Sequence, residues 1–206
     1  MPTERVFFNG EAGQIETFID EPGETPRGLA LICHPHPKYG GTPENKVVQT
    51  LAKCFLELGY IAMRPAFRGI GASQGEYDKG AGETDDMVDV VAQAQARFGE
   101  MPLVLAGFSF GAYVQTHVAK QVTAQRLVLV APACGYMNEE RNYDTETVPA
   151  DTIVIHGEKD ETVPLQNVLD WARPQELPIV VVPGAEHFFH HRLHLIKALV
   201  KGACRP

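Results

Sequence analysis

Residues 101–118 read MPLVLAGFSFGAYVQTHV, and this stretch decides the fold. The apolar run at 103–106 predicts a buried strand, and the residues after Gly111 have helical spacing. Between them, Gly107-Phe108-Ser109-Phe110-Gly111 matches G-x-S-x-G, a sharp strand-to-helix turn that presents a serine hydroxyl at the top of a sheet. Since the chain contains only one other serine, Ser73, we predict that Ser109 is a nucleophile.

Two later loops contain the acid and the base that such a serine needs. A serine hydroxyl is activated by a general base, which an acid orients. Where the serine lies in such a strand-to-helix turn, the three residues follow one another along the chain as Ser, then Asp or Glu, then His. The apolar run at 153–155 leads to Asp160, and the run at 179–182 leads to His187. Because the carboxyl ends of parallel strands share one edge, we predict Asp160 as the acid and His187 as the base.

Other titratable residues in or near these loops are either alternatives to the predicted acid or histidines without a predicted catalytic role. Glu158 and Glu161 share the acid loop and could replace Asp160. His156, at the end of its strand, is expected to be buried and hydrogen bonded. Three more histidines are assigned to the predicted last helix, where partly packed or exposed side chains are usual: His190, His191 and His194.

The loop after the apolar run at 29–33 is the expected source of an oxyanion donor. It reads HPHPKYGG from His34 to Gly41. One donor to the oxyanion is the N–H of Phe110, at the start of the helix after the serine. The prolines of the loop have no N–H. The second donor must therefore be another residue of this loop, and we favour His36 or Tyr39 without separating them.

The same loop also suggests a metal site as a less favoured alternative. His34 and His36 form an H-x-H pair that can bind zinc, and three other residues could complete the site: His156, Asp160 and His187. No further ligand-spaced pair exists, and the chain is short for a metal-dependent TIM barrel. We expect neither a metal nor another cofactor.

The glycines at 69–75 are spaced G-x-G-x-x-x-G, which does not match the dinucleotide-binding pattern G-x-G-x-x-G. We therefore expect Arg68, next to these glycines, to brace loops near the site and not to bind a phosphate group.

Apolar runs and helical stripes alternate along most of the chain. Nearly continuous apolar runs predict parallel strands with both faces covered, at 29–33, 60–63, 103–106, 127–130, 153–155 and 179–182. Helical periodicity occurs at 48–56, 87–98, 168–171 and 195–200. The runs at 6–8 and 15–18 flank a loop rich in glycine and asparagine, which predicts an antiparallel hairpin. The fold class is therefore α/β, a mostly parallel, doubly wound sheet of eight strands with an antiparallel N-terminal hairpin.

Length and charge narrow the class of function. A chain of 206 residues fits a single domain, 1–206. Eighteen Lys and Arg against 26 Asp and Glu give a net charge of −8, which disfavours nucleic acid and anionic membranes as partners. The four cysteines are scattered, as expected of free thiols in a reducing cytoplasm. We expect a cytoplasmic monomer or homodimer that acts on a small acyl substrate.

These residues together resemble the α/β-hydrolase superfamily over essentially the whole chain. His34-Pro35-His36-Pro37 with Gly40-Gly41-Thr42, followed by Phe67-Arg68-Gly69-Ile70-Gly71, is similar to small lidless bacterial serine hydrolases related to dienelactone hydrolase. The resemblance implies esterase-like activity and a triad of Ser109, Asp160 and His187. One departure is that Pro65-Ala66 stand where the group usually has an asparagine.

The resemblance also bears on the lining of the site. Residues 131–152, which precede the acid strand, are too few for a cap domain and are expected to form a loop with one turn of helix, leaving an open site. Five aromatic residues could furnish an apolar pocket: Phe108, Phe110, Tyr136, Phe188 and Phe189. We predict a serine hydrolase of the carboxylesterase or thioesterase kind. The alternatives are a non-catalytic binding protein of the same fold or, less favoured, a metal-dependent hydrolase using His34 and His36.

Overall fold

A computed structural model describes residues 3–139 and 141–204, and its main feature is an eight-stranded sheet. The strands within these described residues are β1 (Glu4–Gly10), β2 (Gly13–Asp20), β3 (Gly28–Cys33), β4 (Tyr60–Pro65), β5 (Leu103–Phe108), β6 (Arg126–Val130), β7 (Gly135–Asn138), β8 (Arg141–Tyr143), β9 (Ile153–Gly157) and β10 (Ile179–Val182). The order in the sheet is β1-β2-β4-β3-β5-β6-β9-β10, and β7 pairs only with β8. The strand β2 pairs antiparallel with both β1 and β4, and every other pair in this sheet is parallel, so β2 alone runs opposite to the other strands. This arrangement confirms the predicted, mostly parallel sheet and its N-terminal hairpin.

Five helices cover the two faces of the sheet: α1 (Lys46–Glu57), α2 (Ala81–Phe98), α3 (Phe110–Val118), α4 (Leu165–Ala172) and α5 (Leu193–Ala203). The helices α2, α3 and α4 contribute to the core on one face, and α1 and α5 to the core on the other. In β3, Leu29 and Leu31 enter the first core, and Ala30 and Ile32 enter the second. Because both of their faces are covered, β3, β4 and β5 are apolar without alternation. The expectation of two covered faces was wrong for β10, which lies at the edge of the sheet and exposes Val180 and Val181. No helix in the described part of the chain is long and apolar enough to cross a bilayer.

Two local expectations from the sequence were wrong. The described residues of 131–152 contain no turn of helix, and instead form the small antiparallel hairpin β7–β8, with a register irregularity between Tyr136 and Asn138. The last helix begins at Leu193, so His190 and His191 precede it and only His194 lies within it. The backbone at Phe189 and at His191 has positive φ (52° and 60°), which a right-handed helix does not permit.

Arg68 braces two elements next to the site, as expected from the sequence. Its Nε and Nη2 donate to the two carboxylate oxygens of Asp86 on α2, at 2.7 and 3.0 Å. The Asp86 side chain is 3% exposed and the Arg68 side chain 11% exposed. This bidentate ion pair fixes the loop after β4 to the first half of α2.

Removing the Asp86 carboxylate should therefore destabilise the protein. Asp86→Ala leaves the buried guanidinium without its partner, which typically costs about 3 kcal/mol. Urea unfolding followed by circular dichroism measures this change in the free energy of unfolding. The control is Asp170→Asn, which removes an exposed partner of Arg173 and should leave the urea midpoint unchanged. Equal midpoints for the two variants would contradict a bracing role for the Arg68–Asp86 pair.

Candidate active site

Ser109 occupies a strained turn at the centre of the sheet. It lies between the end of β5 and the start of α3, with φ 57° and ψ −118°. Such a conformation costs a residue other than glycine about 1–3 kcal/mol. The surrounding structure holds the turn: the Ser109 N–H donates to the Val130 carbonyl at 2.9 Å, and the Ser109 carbonyl accepts from the Ala133 N–H at 3.1 Å. The strand β6 therefore fixes the turn on one side.

The glycines on either side of the turn are required by close approach of the backbone. A Cβ atom at Gly107 would lie 2.4 Å from the Gly111 carbonyl oxygen. A Cβ atom at Gly111 would lie 2.4 Å from the carbonyl oxygens of both Cys33 and His34. The first turn of α3 thus abuts the end of β3 and the beginning of the loop that follows it. The G-x-S-x-G pattern is a steric requirement of this turn.

The structure brings Ser109, His187 and Asp160 together. The Ser109 Oγ lies 3.0 Å from His187 Nε2, and His187 Nδ1 lies 2.7 Å from Asp160 Oδ2. All three residues are buried. Since a carboxylate only accepts, the hydrogen bond to Asp160 puts a proton on Nδ1 and leaves Nε2 to accept from the serine hydroxyl. The three side chains form a hydrogen-bonded chain with the polarity that a nucleophile, base and acid require.

Backbone N–H groups fix the orientation of the Asp160 carboxylate. Its Oδ1 accepts from the N–H groups of Thr162 at 2.9 Å and Val163 at 2.8 Å, leaving Oδ2 for His187. The two alternatives for the acid lie elsewhere. Glu158 accepts from the Gly184 N–H at 2.7 Å, and Glu161 is exposed. In the described structure, neither makes a hydrogen bond to His187.

His156 lies behind the acid and is fully buried. Its Nε2 donates to the Val163 carbonyl at 3.0 Å and lies 3.6 Å from Asp160 Oδ2. Burial lowers the pKa of His156, although the nearby Asp160 charge opposes the shift. The neutral imidazole therefore supports the acid loop from within the protein, in the buried, hydrogen-bonded position expected from the sequence.

The loop after β3 has one free N–H at the site. The residues Pro37–Tyr39 form a 3₁₀ turn in which the Tyr39 N–H donates to the His36 carbonyl at 3.1 Å. The Lys38 N–H donates to His36 Nδ1 at 3.2 Å. By contrast, the His36 N–H has no acceptor among the described residues, and neither has the N–H of Phe110 at the start of α3. Of the two donors favoured from the sequence, His36 is the one with an uncommitted N–H.

His34 ties together the loops that follow β3 and β4. Its Nδ1 donates to the Pro35 carbonyl at 2.7 Å, and its Nε2 accepts from the Phe67 N–H at 2.9 Å. Burial lowers the pKa of His34 to about 4, so the imidazole is neutral near pH 7. Both ring nitrogens are occupied by the backbone, and no group of three or more possible metal ligands exists in the described residues. His34 therefore has no ring nitrogen left to bind a metal together with His36 in the described structure.

A pocket of about 80 Å³ opens beside Ser109. Of the five aromatic residues expected to line it, only Phe188 does so. The expectation was wrong for Phe108, Phe110 and Phe189, which are fully buried in the core, and for Tyr136, which is 64% exposed. The hairpin β7–β8 contributes three lining residues that the sequence did not reveal: Met137, Arg141 and Tyr143. The rest of the described lining is Pro35, His36, Tyr39, Gly40, Gly41, Asn45, Ser109, Ala133, Thr162 and His187.

Comparisons with known proteins place the chain among serine hydrolases. A family model described as serine aminopeptidase, S33 (Hydrolase_4) matches residues 24–144. The structure superposes on an alpha-beta serine hydrolase homologue from Coxiella burnetii with a TM-score of 0.89 and 37% identity, over 99% of this chain and 98% of that one. A lidless α/β serine hydrolase from Xanthomonas campestris gives a TM-score of 0.88 and 33% identity, over 98% and 94% of the two chains. An uncharacterized protein of Rickettsia prowazekii (strain Madrid E) is 30% identical over 202 residues, 91% of this chain and 83% of that protein.

The neutral state of buried His34 predicts a loss of stability in mild acid. In the unfolded chain a histidine takes up a proton near pH 6.5, whereas folded His34 does so only near pH 4. Between these values the unfolded state binds more protons, so stability falls as pH falls. From pH 7 to pH 5, His34 should account for a loss of about 2 kcal/mol in the free energy of unfolding.

Urea unfolding at pH 7 and pH 5 measures the contribution of His34 when the natural chain is compared with a variant that lacks this histidine. His34→Gln keeps an acceptor for the Phe67 N–H but cannot titrate, so its loss of stability between pH 7 and pH 5 should be smaller than that of the natural chain. His194→Gln changes an exposed histidine and should behave like the natural chain. An undiminished loss in His34→Gln would contradict the assignment.

Proposed function

This chain belongs to the serine aminopeptidase S33 (Hydrolase_4) family and is an α/β serine hydrolase, and from that premise we propose that it cleaves small carboxylic esters or thioesters. The observation that carries the proposal is the buried hydrogen-bonded chain from the Ser109 hydroxyl through His187 to Asp160. In the proposed reaction the acyl group passes to Ser109 and then to water.

The first half of the reaction forms the acyl-enzyme. The Ser109 Oγ attacks the substrate carbonyl carbon while His187 Nε2 takes the hydroxyl proton. Asp160 holds the imidazole in the tautomer that can accept this proton and stabilises the imidazolium that results. When the tetrahedral intermediate collapses, His187 returns the proton to the leaving alkoxide or thiolate. Water then attacks the acyl-enzyme with the same proton transfers, which frees the acid and Ser109.

Two backbone N–H groups are the proposed donors to the oxyanion. They are those of Phe110 and His36, both without another acceptor among the described residues. The close packing of Gly111 against the Cys33 and His34 carbonyls brings the start of α3 to the loop that contains His36. The rings of His36 and Phe110 are also in contact, with centroids 4.9 Å apart. Such donors act without reorganisation, which makes them effective at a developing charge.

The lining of the pocket favours ester cleavage over the aminopeptidase activity in the family's name. An aminopeptidase must bind the free ammonium group of its substrate, for which a carboxylate is the natural partner. The described lining residues include no Asp or Glu, and they include the cationic Arg141. The volume of about 80 Å³ favours a short acyl group. We therefore propose short esters and thioesters as the substrate class.

Replacing the proposed nucleophile should abolish turnover without unfolding the chain. Ser109→Ala should lower kcat/KM for 4-nitrophenyl acetate by about 1000-fold or more, because the acyl-enzyme cannot form. The matched control is Ser73→Ala, which removes the other serine hydroxyl of the chain. Ser73 contacts Ala66 and Glu16 away from the pocket, so the folded control should retain activity. Thermal melting verifies that each variant is folded.

Three results would contradict the proposed function. Turnover that survives in folded Ser109→Ala would exclude Ser109 as the nucleophile. Loss of activity on chelation with EDTA would favour the metal-dependent alternative, whereas a serine hydrolase should be unaffected. Absence of turnover by the natural chain on esters, thioesters and amides alike would favour the non-catalytic binding protein.

A further inference from the structure

Arg141 brings a positive charge into the pocket of Ser109. It is the first residue of β8, in the short hairpin between β6 and β9, and it lines the pocket together with Ser109 and His187. Its Cζ atom lies 4.9 Å from the centre of the Tyr39 ring, a cation–π contact between the hairpin and the 3₁₀ turn after β3. The backbone N–H of Arg141 donates to the Asn138 side chain at 3.0 Å, which fixes the base of the residue in the turn.

The guanidinium has no anionic partner in the described structure. None of the ion pairs formed by described residues includes Arg141. Its Nε is buried and has no hydrogen-bond acceptor there. Among the described lining residues it alone carries a formal charge at neutral pH. Within the described residues, Arg141 is therefore a cation without an anionic partner at the candidate site, in a chain with a net charge of −8.

The positive charge of Arg141 helps to lower the pKa of the neighbouring His36. Burial lowers the pKa of His36 to about 4, and the positive charges of Arg141 and then Lys38 add to the shift. His36 is thereby kept neutral, so no second cation competes with Arg141 for an anion. Arg141 is therefore the source of positive charge in a pocket that Ser109 and His187 also line.

A partly buried cation with an unused donor is costly unless a ligand supplies the counter-charge. The guanidinium presents a planar set of N–H groups that matches a carboxylate or a phosphate group. We propose that Arg141 binds an anionic group of the substrate, so that the preferred substrates are short esters or thioesters that carry a carboxylate or another oxyanion besides the scissile bond. This inference rests on the proposed hydrolase function and specifies its substrate class.

Matched ester pairs test whether the anion is recognised and on which side of the scissile bond. For the acyl side, mono-4-nitrophenyl glutarate is compared with 4-nitrophenyl pentanoate. For the leaving-group side, 4-acetoxybenzoate is compared with its methyl ester. In at least one pair the anionic ester should have about a tenfold or larger advantage in kcat/KM, the size expected of a charge-assisted hydrogen bond. A preference for the neutral ester in both pairs would overturn the proposal.

Variants of Arg141 assign the preference to this residue. Arg141→Gln should reduce the ratio of the two kcat/KM values to near one, and Arg141→Lys should retain part of it because the charge remains without the planar fork. Arg173→Gln removes an exposed arginine of the same charge outside the pocket and should keep the ratio. An unchanged ratio in Arg141→Gln would refute the proposal. Should Arg141→Gln fail to fold, Arg141→Met, which also removes the charge, provides the same comparison.

A binding measurement separates this proposal from the hydrolase function itself. Monomethyl glutarate and 4-acetoxybenzoate are titrated calorimetrically into Ser109→Ala, in which no acyl-enzyme can form, and into the same variant carrying Arg141→Gln. Binding of at least one probe should weaken by about tenfold or more on loss of Arg141. If the natural chain shows no turnover but binding depends on Arg141, the hydrolase proposal fails and the anion site stands. Equal binding by the two variants overturns the anion site alone.

Discussion

The backbone conformation of Ser109 is the constraint on which the site depends. A φ of 57° at a residue other than glycine persists only where its surroundings hold it, and here β6 and the start of α3 do so. The turn also requires hydrogen atoms in place of side chains at Gly107 and Gly111, because carbonyl oxygens of neighbouring segments occupy the space of a Cβ. The same close approach brings the start of α3 next to the loop that contains His36, so the two N–H groups proposed as oxyanion donors belong to neighbouring segments.

The partners of Ser109 follow from the order of strands in the sheet. Since β9 and β10 are parallel neighbours, the loops after them leave the same edge side by side, and Asp160 meets His187 there. The partners of the rings differ among the four buried histidines of the described residues, which are His34, His36, His156 and His187. His34 and His156 bond to backbone groups and serve as neutral supports, whereas His187 bonds to a carboxylate and to the serine hydroxyl. The proposed base is therefore distinguished from His34 and His156 by its hydrogen-bond partners, since all three imidazoles are buried.

The sequence predicted the fold and the meeting of Ser109, Asp160 and His187 because the patterns behind these predictions are local. Apolar strands and G-x-S-x-G require only neighbouring residues, and the parallel sheet then implies where the later loops meet. The hairpin β7–β8 could not be predicted, since strands of four and three residues with a register irregularity leave no clear alternation. Arg141 was missed for that reason. The choice between His36 and Tyr39 depends on which N–H groups form hydrogen bonds within the 3₁₀ turn, and the sequence does not show this. The start of α5 depends on the positive φ angles at Phe189 and His191, which the sequence does not show either.

The most direct measurement of the central claim is the reaction of the chain with a fluorophosphonate, which acylation-competent serines attack. Intact mass spectrometry and peptide mapping should find one adduct per chain, on Ser109, and the adduct should be lost in His187→Asn, which cannot take the hydroxyl proton. No adduct on Ser109, or equal labelling of Ser109 in His187→Asn, would contradict an activated serine at this turn. The first of these results would leave the fold as a binding scaffold without the proposed chemistry.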